Sequence, residues 1–139
     1  MFMARTIVVT DSDRRRLGTL LDKAARDAQI DKRYLYALGQ ELERAEVVDP
    51  HEVPADVITM NSTVRVRDLD DGDAEEYTLV YPERANVETN RISILSPVGT
   101  ALIGYRQGDT IAWPVPAGTV HLRIEEVLYQ PERAGEYER

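Results

Sequence analysis

The sequence predicts an α+β protein in which a short antiparallel helical hairpin precedes an antiparallel β-sheet crossed by one helix. Three observations indicate this fold class. Apolar residues follow a helical period from Asp11 to Glu46, with one break near Gln29. After Pro54 the apolar period changes to two, which is typical of strands. A single apolar helical stretch, from Pro97 to Ile103, interrupts the strands.

The two helices of the hairpin carry apolar residues at complementary heptad spacings, which indicates an antiparallel coiled coil. Asp11 or Ser12 is the expected cap of the first helix and Asp31 of the second, because their side-chain oxygens accept hydrogen bonds from free backbone amides. Gly18 and Gly39 each cost a helix about 1 kcal/mol relative to alanine, so we expect packing at the base to stabilise the hairpin. The expected seam consists of Leu17, Leu21, Ala24 and Ala28 on the first helix, and Leu35, Leu38, Leu42 and Ala45 on the second.

Two prolines separate the hairpin from the strands. Pro50 and Pro54 bracket residues 47–56, and proline neither continues a helix nor favours helical geometry in the residue before it. We therefore interpret residues 47–56 as a connector. The chain then divides into a helical hairpin, residues 1–49, and a sheet domain, residues 50–139.

Alternating apolar and polar residues predict five strands in the sheet domain. The turn between the first two strands is expected at 70–73, since Gly72 tolerates positive backbone angles. Glu125 and Glu126 shift the alternation of the last strand by one residue, which predicts a β-bulge. The apolar strand positions are Val64 and Val66; Tyr77, Leu79 and Tyr81; Ile92 and Ile94; Ile111, Trp113 and Val115; and Val120, Leu122, Ile124, Val127 and Tyr129.

The composition argues against several classes of function. The chain of 139 residues has no cysteine, so it forms neither a disulfide framework nor a thiolate metal site. Its N-terminal segment is too short and broken for a signal peptide, and no apolar run reaches the roughly 20 residues that span a bilayer. We therefore expect a cytoplasmic protein with no membrane partner. The histidines, His51 and His121, lack metal spacing, and no hydrolase, nucleotide or dehydrogenase motif occurs.

Charge is distributed unevenly along the chain. Residues 1–50 contain nine Arg or Lys and nine Asp or Glu, whereas residues 51–139 contain eight and sixteen, so the net charge of −8 lies in the second part. An acidic domain is repelled by phosphate backbones, so we expect no sequence-specific binding of nucleic acid. A basic protein surface is the better partner.

Several motifs occur in the order found in bacterial Gre transcript-cleavage factors. Residues 92–104, ISILSPVGTALIG, precede Gly108-Asp109 and Pro116-Ala117-Gly118, and this order resembles the C-terminal domain of the Gre factors. A short hairpin followed by the segments 56–64, 79–82 and 129–137 resembles the Rnk family, whose members are named as regulators of nucleoside diphosphate kinase. The resemblance implies a C-terminal domain related in fold to FK506-binding proteins and a place on RNA polymerase.

The resemblance also implies which residues contact the polymerase. In Gre factors the C-terminal domain grips a helical hairpin at the rim of the polymerase's secondary channel, through residues at a Ser-Pro corner. In this chain those residues are Leu95, Ser96 and Pro97. Some Gre proteins place an acid before the Ser-Pro pair, and Leu95 in its place predicts an apolar contact. Ser96 is also the expected cap of the helix that Pro97 begins.

The hairpin tip is the part with which Gre factors help hold a second magnesium ion in the polymerase active site. The tip of this chain lacks the closely spaced acid pair followed by asparagine that the resemblance would require, so we expect its residues to end helices and to be solvated. About 17 helical residues at about 1.5 Å each give an arm of roughly 25 Å, shorter than that of the Gre factors. The tip residues are Asp27, Ala28, Gln29, Ile30, Asp31, Lys32 and Arg33.

Together with the short arm and its tip, the resemblance implies a non-enzymatic transcription regulator, without cofactor or metal, that occupies the channel entrance and competes with Gre factors without stimulating transcript cleavage. Two alternatives stay open. A prolyl isomerase of the FK506-binding type needs an aromatic pocket, to which several rings could contribute. A hairpin that self-associates through its seam needs no polymerase. The candidate rings are Trp113, Tyr77, Tyr81, Tyr105 and Tyr129.

Overall fold

The computed structural model describes residues 6–29 and 32–137, and for Val115 its backbone alone. Two expected tip residues, Ile30 and Asp31, lie outside the described residues, and so does the expected cap at Asp31. None of the helices in the described ranges is long and apolar enough to cross a membrane. The elements are β1 Val8–Thr10, α1 Asp11–Ala24, α2 Lys32–Arg44, β2 Glu46–Val48, β3 Thr63–Asp68, β4 Ala74–Val80, β5 Arg91–Ser93, α3 Pro97–Leu102, β6 Thr110–Val115 and β7 Gly118–Tyr129. Two 3-10 turns, Pro82–Arg84 and Val87–Thr89, join β4 to β5.

The α+β class is confirmed: two helices precede a five-stranded sheet of order β5-β4-β3-β7-β6. The neighbours in this sheet run antiparallel, except that β5 pairs in parallel with β4. The parallel pair arises because the chain returns across the two 3-10 turns before it enters β5. The α3 helix then leads from this edge of the sheet to β6 at the other edge.

The predicted turn and the predicted bulge are both present. Gly72 adopts a φ of 81° between β3 and β4, in the region that L-residues rarely occupy. Arg65 of β3 pairs with Glu126, and the next residue, Val66, pairs with Ile124, so Glu125 is the extra residue of a bulge in β7.

The connector prediction is wrong for residues 47 and 48, which belong to the strand β2. This strand pairs in parallel with β1, so that Val8 lies opposite Glu46, and the Glu46 amide donates to the Ile7 carbonyl at 2.8 Å. Residues 46–48 read EVV and show no alternation of apolar and polar residues, so this strand could not be recognised in the sequence. The pairing closes the base of the hairpin, because β1 leads into α1 and β2 follows α2.

The first helix differs from the prediction at both ends. Its cap is Thr10 rather than Asp11 or Ser12, because the Thr10 side chain accepts from the Asp13 amide at 3.0 Å. Its last residue is Ala24, so Ala28 lies beyond the helix and is exposed, not in the seam.

One apolar core runs from the hairpin into the sheet domain. Residues Leu17, Leu38 and Leu42 of the hairpin belong to the same buried cluster as Ile58 and Leu102. The expected packing at the hairpin base is therefore present. The division of the chain between residues 49 and 50 stays a prediction, since this core spans both parts.

Candidate functional site

The Ser-Pro corner joins β5 to α3, and Ser96 is the N-terminal cap of α3, as predicted. The Ser96 hydroxyl oxygen accepts from the Gly99 amide at 3.0 Å, and the hydroxyl donates to the Ser93 carbonyl at 2.7 Å. Pro97 is the first helical residue, where its missing amide hydrogen costs nothing.

Further hydrogen bonds fix the path of the corner. The Leu95 amide donates to the Ser93 hydroxyl oxygen at 3.0 Å, and the Thr100 hydroxyl donates to the Ile94 carbonyl at 2.8 Å. A Cβ atom at Gly99 would lie 2.0 Å from the Ser93 carbonyl oxygen, so only glycine fits there. The corner is consequently a rigid place from which to present side chains.

Leu95, Ser96 and Pro97 are each half-buried at this corner. The Leu95 side chain lines a groove of about 390 Å³ that runs between α1 and the sheet domain. The lining of the groove combines apolar side chains with charged ones. Its lining residues are Leu20, Lys23, Ala24, Asp27, Pro82, Glu83 and Leu95.

Sequence reasoning found Leu95 but missed the contribution of α1 to the groove. Leu20 and Ala24 follow the helical period of the hairpin, so the sequence assigns them to the hairpin and gives no sign of a shared site. Pro82 comes from a third segment, directly after β4. Only the docking of the hairpin on the sheet brings these segments together.

At the described part of the tip, Asp27 and Lys32 have local structural roles. The Asp27 side chain accepts from the Gln29 amide at 2.9 Å. The Lys32 ammonium donates to the Ala24 carbonyl at 3.1 Å and to the Asp27 carbonyl, and so it closes the C-terminal end of α1. The Lys32 bonds satisfy carbonyl oxygens at the end of α1 and just after it, and the Asp27 bond matches the expected helix-end role of that residue.

The arm is shorter than the sequence predicted. The helices α1 and α2 have 14 and 13 residues, which at about 1.5 Å each correspond to about 20 Å. Within residues 6–29 and 32–137, no group of three or more acidic, histidine or cysteine side chains could hold a metal ion.

The aromatic side chains do not support the isomerase alternative. Trp113, Tyr81 and Tyr105 are buried in the apolar core, where they stabilise the fold and are not available to line a pocket. Tyr77 and Tyr129 are half-buried on the sheet.

Comparison with known proteins confirms the resemblance seen in the motifs. Residues 5–48 match the family described as Rnk N-terminus, and residues 53–129 match the family described as Transcription elongation factor, GreA/GreB, C-term. The chain is 43% identical over 133 residues to the Regulator of nucleoside diphosphate kinase of Escherichia coli, covering 95% of this chain and 96% of that protein.

More distant and structural relatives carry the Gre name. The chain is 36% identical over 108 residues to the Transcription elongation factor GreA of Chlorobium phaeobacteroides, covering 77% of this chain and 68% of that one. A solved structure, the Prokaryotic transcription elongation factor GreA/GreB from Nitrosomonas europaea, superposes with a TM-score of 0.74 at 45% identity, covering 89% of this chain and all of that one.

Proposed function

The chain belongs to the Rnk family of Gre-like proteins, and on that basis we propose that it is a non-enzymatic transcription regulator that binds RNA polymerase at the rim of the secondary channel. It occupies the channel entrance, excludes Gre factors from it, and does not stimulate transcript cleavage. Its partner is a protein surface, because the acidic sheet domain repels nucleic acid. The function belongs to the cytoplasm, where bacterial polymerase works.

The observation that supports this proposal best is the groove beside the Ser-Pro corner. The corner is held by hydrogen bonds within the chain, so its side chains are already ordered before a partner arrives. Leu20 of α1 and Leu95 of the sheet domain both line the groove, where one apolar side chain of a polymerase helix can be buried against them.

The length and the tip of the hairpin support the proposal that the protein does not stimulate transcript cleavage. An arm of about 20 Å is too short to imitate the longer arm that the resemblance attributes to Gre factors. In the described part of the tip, Asp27 orders a turn and Lys32 binds two carbonyl oxygens, so these groups are engaged within the chain. A regulatory effect on nucleoside diphosphate kinase, named for the relative in Escherichia coli, would then be indirect.

The test is capture of the chain by purified core polymerase at low salt, with and without a competing Gre factor. Leu95→Glu places a charge in the groove, and we expect it to weaken binding by at least about tenfold. Leu69→Glu is the matched control, because Leu69 is 45% exposed and does not line the groove. Absence of any association, or equal losses in the two variants, would refute the proposal.

Transcript cleavage by stalled elongation complexes tests the second part of the proposal. We expect no stimulation by this protein and inhibition of the stimulation that a Gre factor gives. If the protein stimulates cleavage and Asp27→Asn abolishes that stimulation, the proposal that its tip takes no part in cleavage is wrong. Sedimentation of the free chain distinguishes the self-association alternative, which predicts a stable dimer that does not bind polymerase.

A further inference from the structure

A buried carboxylate links the hairpin to the sheet domain. Asp13 lies in the first turn of α1 and its residue is only 6% exposed. Its Oδ2 atom accepts a hydrogen bond of 3.1 Å from the amide of Met60, in the segment that leads to β3. An acid this deeply buried is rare unless it is paired or hydrogen-bonded, so its contacts define what it does.

Charged and titratable groups face Asp13 from three directions. On α1, the Arg16 guanidinium lies 4.3 Å from the ring centroid of Tyr81, which follows β4. From the C-terminal turn comes Glu132, whose Oε1 accepts from the Thr59 hydroxyl at 2.7 Å. Burial, and to a smaller extent the negative charge of Glu83, raises the pKa of the neighbouring Tyr81 hydroxyl. The uncharged Thr10 side chain faces Asp13 from the end of β1.

These surroundings change the affinity of Asp13 for its proton. Burial, assisted by the negative charge of Glu132, raises the pKa of Asp13 to about 6, although the Met60 amide, Arg16 and Thr10 oppose this change. When the hairpin separates from the sheet, the carboxyl returns to water and to its ordinary pKa. Protonation therefore favours the docked hairpin, and this advantage is lost as the pH rises from about 4 to about 6.

We propose that Asp13 is a positioning residue that holds the helical hairpin on the sheet, as a latch that weakens when the carboxyl loses its proton. Leu20 and Ala24 of the groove belong to the hairpin, whereas Pro82 and Leu95 belong to the sheet domain. The latch consequently sets how firmly the two walls of the groove are held together. The effect on a partner rests on the proposed function; the latch itself does not.

Amide hydrogen exchange of the free protein, corrected for intrinsic rates, tests the latch between about pH 4 and about pH 8. A difference of about two pKa units corresponds to at most about a hundredfold change in the opening equilibrium of α1 and of the Met60 amide. Asp13→Asn keeps an oxygen acceptor for Met60 but carries no charge, so its protection should stay high and independent of pH. Asp22→Asn, at an exposed position of the same helix, is the matched control and should keep the wild-type dependence.

Two further variants should shift the midpoint of the exchange profile in opposite directions. They test the latch even if Asp13→Asn does not fold. Glu132→Gln removes a negative neighbour and should move the midpoint of the exchange profile to lower pH, while Arg16→Gln removes a positive one and should move it higher. The carboxyl carbon of Asp13, followed by NMR, should titrate with the same midpoint. Unmoved midpoints in both variants, or an Asp13 carboxyl that titrates near its ordinary pKa, would overturn the proposal.

Polymerase capture over the same pH range tests the consequence for the groove. We expect the wild-type affinity to vary with the exchange profile and the Asp13→Asn affinity to stay constant. An affinity that does not follow the latch would overturn its role in positioning the groove. Failure of every variant and of the wild type to bind polymerase would instead refute the proposed function and leave the exchange result standing.

Discussion

Replacing Gly104 with alanine measures how tightly the N-terminal segment is packed on the sheet domain. Gly104 follows α3, and its backbone joins two parts of the chain. Its amide donates to the Ile58 carbonyl at 2.9 Å, while its own carbonyl accepts from the Val8 amide at 3.4 Å. A change at this position therefore affects the contact between β1 and the sheet domain.

Two costs are expected in Gly104→Ala. The φ of 79° is unfavourable for an L-residue by about 1 to 2 kcal/mol. The added Cβ would also lie 2.4 Å from the Cβ of Ile7, which is 1% exposed and has little space to move. Overpacking of this kind costs about 1 to 3 kcal/mol, so the free energy of unfolding should fall by about 2 to 5 kcal/mol in total.

Urea unfolding of Gly104→Ala beside Gly108→Ala separates these two costs. Gly108 also has a positive φ, 94°, but its added Cβ would meet no atom within 4 Å. Gly108→Ala should therefore lose only the backbone part, about 1 to 2 kcal/mol. Equal losses in the two variants would show that Ile7 does not press on Gly104, and would refute the reasoning.

The remaining predictions concern the two helices of the hairpin. Lys32→Met removes the donor to the Ala24 and Asp27 carbonyls and should lower the free energy of unfolding by about 1 kcal/mol, while Lys23→Met, at an exposed position of α1, should change it less. Equal effects in urea unfolding would argue against the cap. Gly18→Ala should raise the free energy of unfolding by up to about 1 kcal/mol, because the site lies within α1 and an added Cβ meets nothing within 4 Å. A lower urea midpoint in Gly18→Ala would contradict this expectation.

Local patterns predicted the parts of the fold that depend on neighbours in the sequence. The alternation of residues in β3, β4 and β7 identified the strands, and the pair Glu125-Glu126 located the bulge. Ser96 was recognised as a cap because the amide it binds is only three residues away. Interactions of this range leave a signature in the sequence, since the spacing itself fixes the geometry.

Contacts between distant segments were not predictable in the same way. The strands β1 and β2 have three residues each and are separated by the whole hairpin, so their pairing has no periodic signal. The Lys32 side chain binds the carbonyl of Ala24, the last residue of α1, across eight residues, and no helical period indicates this contact. The contact of Asp13 with the Met60 amide crosses 47 residues, so no local pattern pointed to it.

The sequence by itself determined the α+β class, the Ser-Pro corner and a tip without the acid pair of the Gre factors, because each depends on residue types at short spacing. The tertiary structure alone decided that α1 lies beside Leu95 to form a groove and that Asp13 is buried where the hairpin meets the sheet. Both features arise when one apolar core draws the two parts of the chain together. Burial of this kind depends on the complete fold, which no local pattern of residues encodes.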